Sequence, residues 1–321
     1  KFKMAEYKGI HGTKVQDYTT DPDNPITGQV WYNETANTIR VQAVTSSGTW
    51  ATSADMNNAN FGMGGNGAIT TALSSGGGNS PPARTSLCET FNGTSWTEQS
   101  AMNTRKYFGS NAGTSTAGLA FAGEPADPGR ADSETFNGSS WTEAANLNTG
   151  RESINGTGTQ TAAIACGGAP NLVITELFNG TSWTEVADLN TGRGSNGMAG
   201  ADNTAAIIFG PTAITESWNG SAWTEVGDLN TGRPSVRGSG ISTSAIAASS
   251  STSPKGQTET WNGTSWTIDS GMNTGRDSGN AAGINNTESI YFGGRNEPTE
   301  YTSTEEFTGA GASVIRTITT D

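Results

Sequence analysis

Glu89-Thr-Phe-Asn-Gly-Thr-Ser-Trp96 is the phrase on which the fold turns, because the chain keeps repeating it. It returns with small changes as Glu134 to Trp141, Glu176 to Trp183, Glu216 to Trp223 and Glu259 to Trp266. Each copy has an aromatic residue two places after the Glu, then Asn-Gly. With Trp50 included, six tryptophans are spaced by 46, 45, 42, 40 and 43 residues. Six places after each comes Met56, Met102, Leu147, Leu189, Leu229 or Met272, and Asn follows at once. The phrase predicts two antiparallel strands around a tight loop, with Asn-Gly supplying positive φ angles. The aromatic residue and the Trp flank the loop and pack across the strand pair.

Between phrases lies a blander pair. Its first member is rich in small residues, as in Gly194-Ser-Asn-Gly-Met-Ala-Gly200, and its second is apolar, as in Ala163–Cys166, Ala205–Phe209 and Ser289–Phe292. No stretch sustains the 3.6-residue apolar period of a helix. Four short strands in every 40–46 residues predict an all-β chain folded as a β-propeller. Small residues suit the innermost strands, where blades converge, and Trp suits the outer ones. Six of the bland pairs can be counted but seven aromatic hairpins, the last beginning at Glu305 with Ala312 where Trp is expected. Seven blades is the expected count, with the N-terminal strands as an incomplete seventh sheet. A six-bladed ring with residues 1–56 outside it is the alternative.

Composition narrows the function. Of 321 residues 32% are apolar and 44 are Gly, and the net charge is −13. No run approaches the roughly 18 apolar residues of a membrane span, and Lys1 to Gln16 holds no signal-peptide core. So acidic a chain repels phosphate backbones, which argues against nucleic acid as a partner. Cys88 and Cys166 are too few for a disulfide scaffold and are expected as small buried residues. His11 is the single histidine and has no catalytic pair nearby, which removes most imidazole-dependent catalytic and zinc sites. No catalytic residue, metal or cofactor is expected.

Apolar strand, Gly-Gly, aromatic residue, then Trp, in units of 40–50 residues, resembles the kelch repeat across residues 31–321. Phe209-Gly-Pro211 lacks the second glycine of that pattern and Ser249-Ser250 lacks both. Short, near-identical Asn-Gly-Thr-Ser-Trp copies look most like kelch-type propellers encoded by bacteriophages, especially marine ones. Asp21-Pro-Asp-Asn-Pro-Ile-Thr-Gly-Gln-Val-Trp-Tyr-Asn33 is similar to Gly-x-x-Trp-Tyr-Asn segments of phage tail-fibre and other virion proteins. Met4 looks like a natural start, which makes Lys1–Lys3 an extension. The copper site of kelch-type oxidases needs a histidine-rich constellation that this chain lacks. Gly93-Thr-Ser-Trp96 matches only the tail of the sialidase Asp-box and is read as shared hairpin geometry, which also accounts for the Asn-Gly-Thr/Ser glycosylation-like patterns.

Candidate binding residues fall in two groups. Asn-Thr-Gly-Arg ends at Arg151, Arg193, Arg233 and Arg276, with Asn103-Thr-Arg105 as a shortened copy. These arginines form either a basic collar for carboxylated or sulfated glycans or a set of bonds to neighbouring blades, and recurrence in nearly every unit favours the bonds. Loops that leave the repeat, Ser75–Arg84, Glu124–Ala131 and Ser249–Gly256, are the second group, with Glu124, Asp127 and Arg130 carrying charges the other units lack. The Glu89, Glu134, Glu176, Glu216 and Glu259 series and the Glu98, Glu143, Glu185 and Glu225 series are expected as solvated outer-strand charges, in preference to calcium ligands or paired catalytic carboxylates.

The expectation is a non-enzymatic propeller on the surface of a virus particle, a tail-fibre or receptor-binding component. Residues 1–30 would attach it to other virion proteins, residues 31–321 would form the propeller, and its loops would meet a host surface glycan or protein. Membrane insertion is not expected, while homo-oligomerisation is open. A capsid decoration protein, a polysaccharide-cleaving enzyme using carboxylates and a cellular kelch adaptor are the alternatives.

Overall fold

A computed structural model describes residues 15–23, 25–26, 28–44, 47–79, 83–124, 131–311 and 313–318. No α-helix occurs among them, and the strands assemble into seven four-stranded sheets plus two short ribbons. The chain is a β-propeller. Two compact units divide it, one of residues 1–48 with 310–321 and one of residues 49–309.

Six of the sheets belong to the larger unit and are its blades. Blade 1 runs Gly64–Asn66, Leu73–Ser75, Cys88–Phe91 and Trp96–Gln99, and blade 2 runs Ser110–Thr114, Ala117–Phe121, Ser133–Phe136 and Trp141–Ala144. Blade 3 is Asn155–Gly158, Ala163–Cys166, Thr175–Phe178 and Trp183–Glu185, and blade 4 is Gly197–Asp202, Ala205–Phe209, Thr215–Trp218 and Trp223–Glu225. Blade 5 is Arg237–Ile241, Ser244–Ala248, Thr258–Trp261 and Trp266–Asp269. Blade 6 takes three strands from the far end, Asn280–Ala282, Glu288–Phe292 and Thr304–Thr308, and its fourth, Thr49–Thr52, from the near end.

That last pairing explains the surplus hairpin. Phe307 pairs with Trp50, so Trp50 stands where Ala312 was expected to leave a gap, and one hairpin had been counted twice. The ring shuts between blades 6 and 1, where Asn280 Nδ2 donates to Met63 O (2.9 Å) and Gly283 N to Gly67 O (2.9 Å). Seven four-stranded sheets are present as expected, but six make the ring. The seventh, Gln16–Tyr18, Val30–Asn33, Thr38–Val44 and Ser313–Ile318, lies in the smaller unit, and its first two strands run parallel. The compact units divide at residue 48 rather than at the expected 30, because Val30–Asn33 pairs with Thr38–Val44, which pairs in turn with Ser313–Ile318.

Burial follows the predicted gradient. The innermost strands line a central cavity of about 470 Å³. A Cβ on Gly238 would lie 2.4 Å from Met198 O of the adjacent blade, so only glycine lets these strands approach. At the outer edge the six repeat tryptophans are buried between blades. Trp183 packs against Phe178 of its own blade (5.0 Å between centroids) and Phe121 of the preceding one (5.1 Å). Its indole N–H donates to Ser133 Oγ (3.2 Å), as Trp223 does to Thr175, Trp266 to Thr215, Trp50 to Thr258 and Trp96 to Thr304. A hydroxyl one place before five of the six repeat Glu residues is thus the socket for the next indole, while Cys88 stands before Glu89 and Trp141 donates to Ser100 O (3.1 Å). Satisfying the N–H lets a large ring be buried without an orphan donor.

The Asn-Gly loops differ in detail from the expectation. Only the glycine has positive φ, for instance Gly93 at +90°. The Asn acts through its side chain: Asn92 Oδ1 accepts from Thr94 N and Ser95 N, both 2.9 Å.

Candidate functional site

The repeat Glu and Arg series, read apart in the sequence, come together as one buried clamp. The segment leaving each outer strand passes over the next blade, where that blade's Glu holds it. Glu176 Oε2 accepts from Asn148 N (2.7 Å) and Asn148 Nδ2 (2.9 Å), while Oε1 faces Arg151 Nη1 (2.5 Å). The same pairing joins Arg193 to Glu216, Arg233 to Glu259 and Arg276 to Glu305. Main-chain carbonyls take the remaining guanidinium donors, as Gly167 O does from Arg151 Nε (2.9 Å). Burial pushes the Arg193 and Arg233 guanidinium groups below their usual range, against the pull of Glu216 and Glu259.

One choice is decided here and one expectation corrected. The four arginines are at most 1% exposed and bond carbonyls and acids of the blades, the reading their recurrence favoured, so the alternative of a collar open to a ligand falls. Glu89, Glu134, Glu176, Glu216 and Glu259 are buried rather than solvated, since third-strand alternation turns them inward under the crossing segment. The second series, Glu98, Glu143, Glu185 and Glu225, is exposed as expected. Arg105 is exposed as well, and the clamp cation of blade 2 is its neighbour Lys106, 3.8 Å from Glu134 and paired with Asp132. Asn103-Thr-Arg-Lys106 is therefore a full-length copy with Arg105 in the glycine place.

Where the units cease to be alike is more informative. In blades 6, 1 and 2, which are consecutive in the ring, the residue three places before the innermost strand bridges the connection between the second and third strands: Asp277 with Arg295, Phe61 with Gly78, Tyr107 with Glu124. Those connections carry the two extra ribbons, Gly78–Asn79 with Ala83–Arg84 and Arg295–Asn296 with Thr299–Glu300. Blade 4 makes the same turn with only residues 210–214.

A strip of charged groups and buried to half-buried aromatic rings runs along this arc. Arg295 lies over the Phe61 ring (4.3 Å to the centroid), Phe61 meets Tyr107 edge-on (5.6 Å), and Tyr107 stacks obliquely on Phe108 (4.2 Å). Tyr107 and Phe108 are half-buried, and burial raises the Tyr107 hydroxyl above the ordinary phenol range. Arg84 pairs with Glu124, tying the blade 1 connection to that of blade 2. At the other end Lys255 of blade 5 reaches Asp277 Oδ2 (3.1 Å). Gly78, Arg84 and Glu124, from two of the loops picked from the sequence, thus lie on the arc, and the third loop, Ser249–Gly256, borders it through Lys255. Arg295–Glu300 was missed, although the break in its unit after Gly293-Gly294 was a usable signal. Asp127 and Arg130 lie outside the described residues, as do His11, Met4 and Lys1–Lys3.

On the axis, Arg237 donates from Nε to Gly279 O (3.0 Å) and from Nη1 to Val236 O (3.3 Å), narrowing one end of the central cavity. In the smaller unit Asp21 accepts from Trp31 Nε1 (2.9 Å) and Asn33 Nδ2 (2.7 Å) and pairs with Arg40. The bond from Asn33, with help from Trp31 and Arg40, holds its carboxyl below the usual range. Asp21, at the start of the Asp21-to-Asn33 phrase, is thereby tied to Trp31 and Asn33 at its end.

Among the described residues no group of three or more His, Cys, Asp and Glu side chains could hold a metal ion. Cys88 and Cys166 are buried, and burial pushes each thiol up to about 12. Thiolate is the reactive form. In the native protein at pH 8 a thiol reagent should label neither, whereas both should react within the dead time after unfolding in guanidinium; rapid labelling of either native thiol would contradict the burial. No protein-family model matches the chain, and a comparison with curated proteins finds no match.

Proposed function

We propose that this is a non-enzymatic binding propeller whose arc across blades 6, 1 and 2 meets its ligand, and that it serves as a tail-fibre or receptor-binding component on a virus particle. The observation that carries the reading is the break in repeat symmetry: aromatic rings, two ribbons and alternating charges gather on one arc of otherwise uniform blades. Half-buried Tyr107 and Phe108 between Arg84, Glu124 and Arg295 suit a polar ligand with apolar faces, such as a surface glycan, because rings take the faces and charged groups take the hydroxyls. Glu124 and Asp277 are each held by a cation, which favours positioned binding over paired-carboxylate chemistry.

The kelch-type and phage resemblances of the repeat and of Asp21–Asn33 support the viral setting. The smaller unit is the candidate for attachment to the particle, and it exposes Ile26, Ile315 and Ile318. A glycan array together with binding to bacterial cells tests the proposal. Binding should appear and should fall at least tenfold in Tyr107→Ala, with Glu143→Gln on an exposed repeat position as an unaffected control. Blank results in both assays would favour the capsid decoration alternative.

A further inference from the structure

Five of the six crossing segments bring a cation to the buried Glu: Lys106, Arg151, Arg193, Arg233 and Arg276. In blades 3, 5 and 6 the seat is built alike from oxygen. Arg151 donates to the carbonyls of Thr149, Gly167 and Ala165, Arg233 to those of Thr231, Ser249 and Ala247, and Arg276 to those of Thr274, Gly293 and Tyr291, each beside a Glu Oε1.

Blade 1 has the seat without the cation. Its segment reads Asn57-Asn58-Ala59-Asn60, and Asn57 clamps Glu89 Oε2 in the usual way, from N (2.8 Å) and Nδ2 (2.9 Å). The fourth residue is Asn60, too short to reach the carboxylate. Its Nδ2 takes Gly76 O (2.7 Å), and its Oδ1 has no hydrogen-bond partner although the residue is only 4% exposed. Glu89 Oε1 receives two long bonds, from Asn58 N (3.2 Å) and Asn58 Nδ2 (3.4 Å). Glu89 is 3% exposed, and among the described residues no Lys or Arg lies within ion-pair distance of it. Ser74 pairs with Glu89 in the register in which Ala165 pairs with Glu176. The carbonyls of Asn58, Ser74 and Gly76 therefore correspond to those of Thr149, Ala165 and Gly167.

A buried carboxylate without a counter-charge is strongly disfavoured. Carbonyl, amide and carboxylate oxygens are the ligands of hard cations, and a single carboxylate is neutralised by a single positive charge, as it is by arginine in the other blades. We infer that blade 1 binds a small monovalent cation, sodium or potassium, against Glu89, in the place of the arginine head group of its neighbours.

Thermal melting of the full chain in sodium, potassium and tetramethylammonium chloride at equal ionic strength tests this. Melting should be higher by about 2–4 °C in at least one of the alkali salts than in tetramethylammonium. Asn60→Arg, which completes the sixth copy, should abolish that difference and raise melting in tetramethylammonium. Equal melting of the natural chain in all three salts, or a salt difference that survives in Asn60→Arg, would overturn the inference, as would stabilisation by calcium chloride alone. If Asn60→Arg does not fold, crystals grown in rubidium chloride decide: an anomalous peak beside Glu89 supports the site, and its absence rejects it.

Discussion

Arg233→Met should destabilise the protein by about 3–5 kcal/mol, among the largest losses available to a single substitution. Methionine fills most of the volume, so the loss comes from charge rather than from a cavity. Glu259 would keep its bonds from Asn230 N (2.7 Å) and Asn230 Nδ2 (2.8 Å) but would lose the Arg233 cation while fully buried. Guanidinium denaturation of the variant beside the natural chain measures the loss. The double variant Arg233→Met with Glu259→Gln should recover part of it, because the stranded charge is then gone. A loss below about 1 kcal/mol for Arg233→Met would mean that the clamp is solvated and contributes little.

Trp183→Ala should cost a similar amount, about 3–5 kcal/mol, for a different reason. The indole bridges two blades, touching Phe121 and Phe178, and its removal leaves a void on a seam that every blade shares. Trp183→Phe keeps the ring contacts and should lose less, mainly the bond to Ser133 Oγ. Exposed Ile268 on blade 5 is the contrast, and Ile268→Thr should change the melting temperature little. Comparable losses at Trp183 and Ile268 would remove the tryptophans from the centre of the architecture.

The propeller was legible because its signals are local. Asn-Gly loops, a Trp after each loop and small residues on the next strand fall within one unit, and a repeated sequence shows them five times. What escaped depends on partners distant along the chain. Trp50 and Phe307 belong to one hairpin split between opposite ends of the ring, so the blade count could not be read by scanning forward. Arg151 meets Glu176 25 residues on, and Arg193, Arg233 and Arg276 meet theirs after 23, 26 and 29. That near-constant offset was present in the sequence. It was obscured by assigning the two series to separate surfaces, and by aligning Arg105 rather than Lys106 with the other cations. The arc was half visible, since departures from the repeat marked two of its loops, but only the ring order shows that blades 6, 1 and 2 are neighbours.

The strand Thr49–Thr52 has a further consequence for how the protein is made. Ser53 Oγ bonds Glu306, 253 residues later (2.6 Å). On the ribosome this early strand emerges long before its partner is translated, and each blade can form in turn while the ring stays open. A nascent chain halted before Thr304 carries five complete blades and one unmatched edge, the kind of surface that recruits other chains. Closure is thus a late event of synthesis, and premature termination before Thr304 leaves an open, association-prone product.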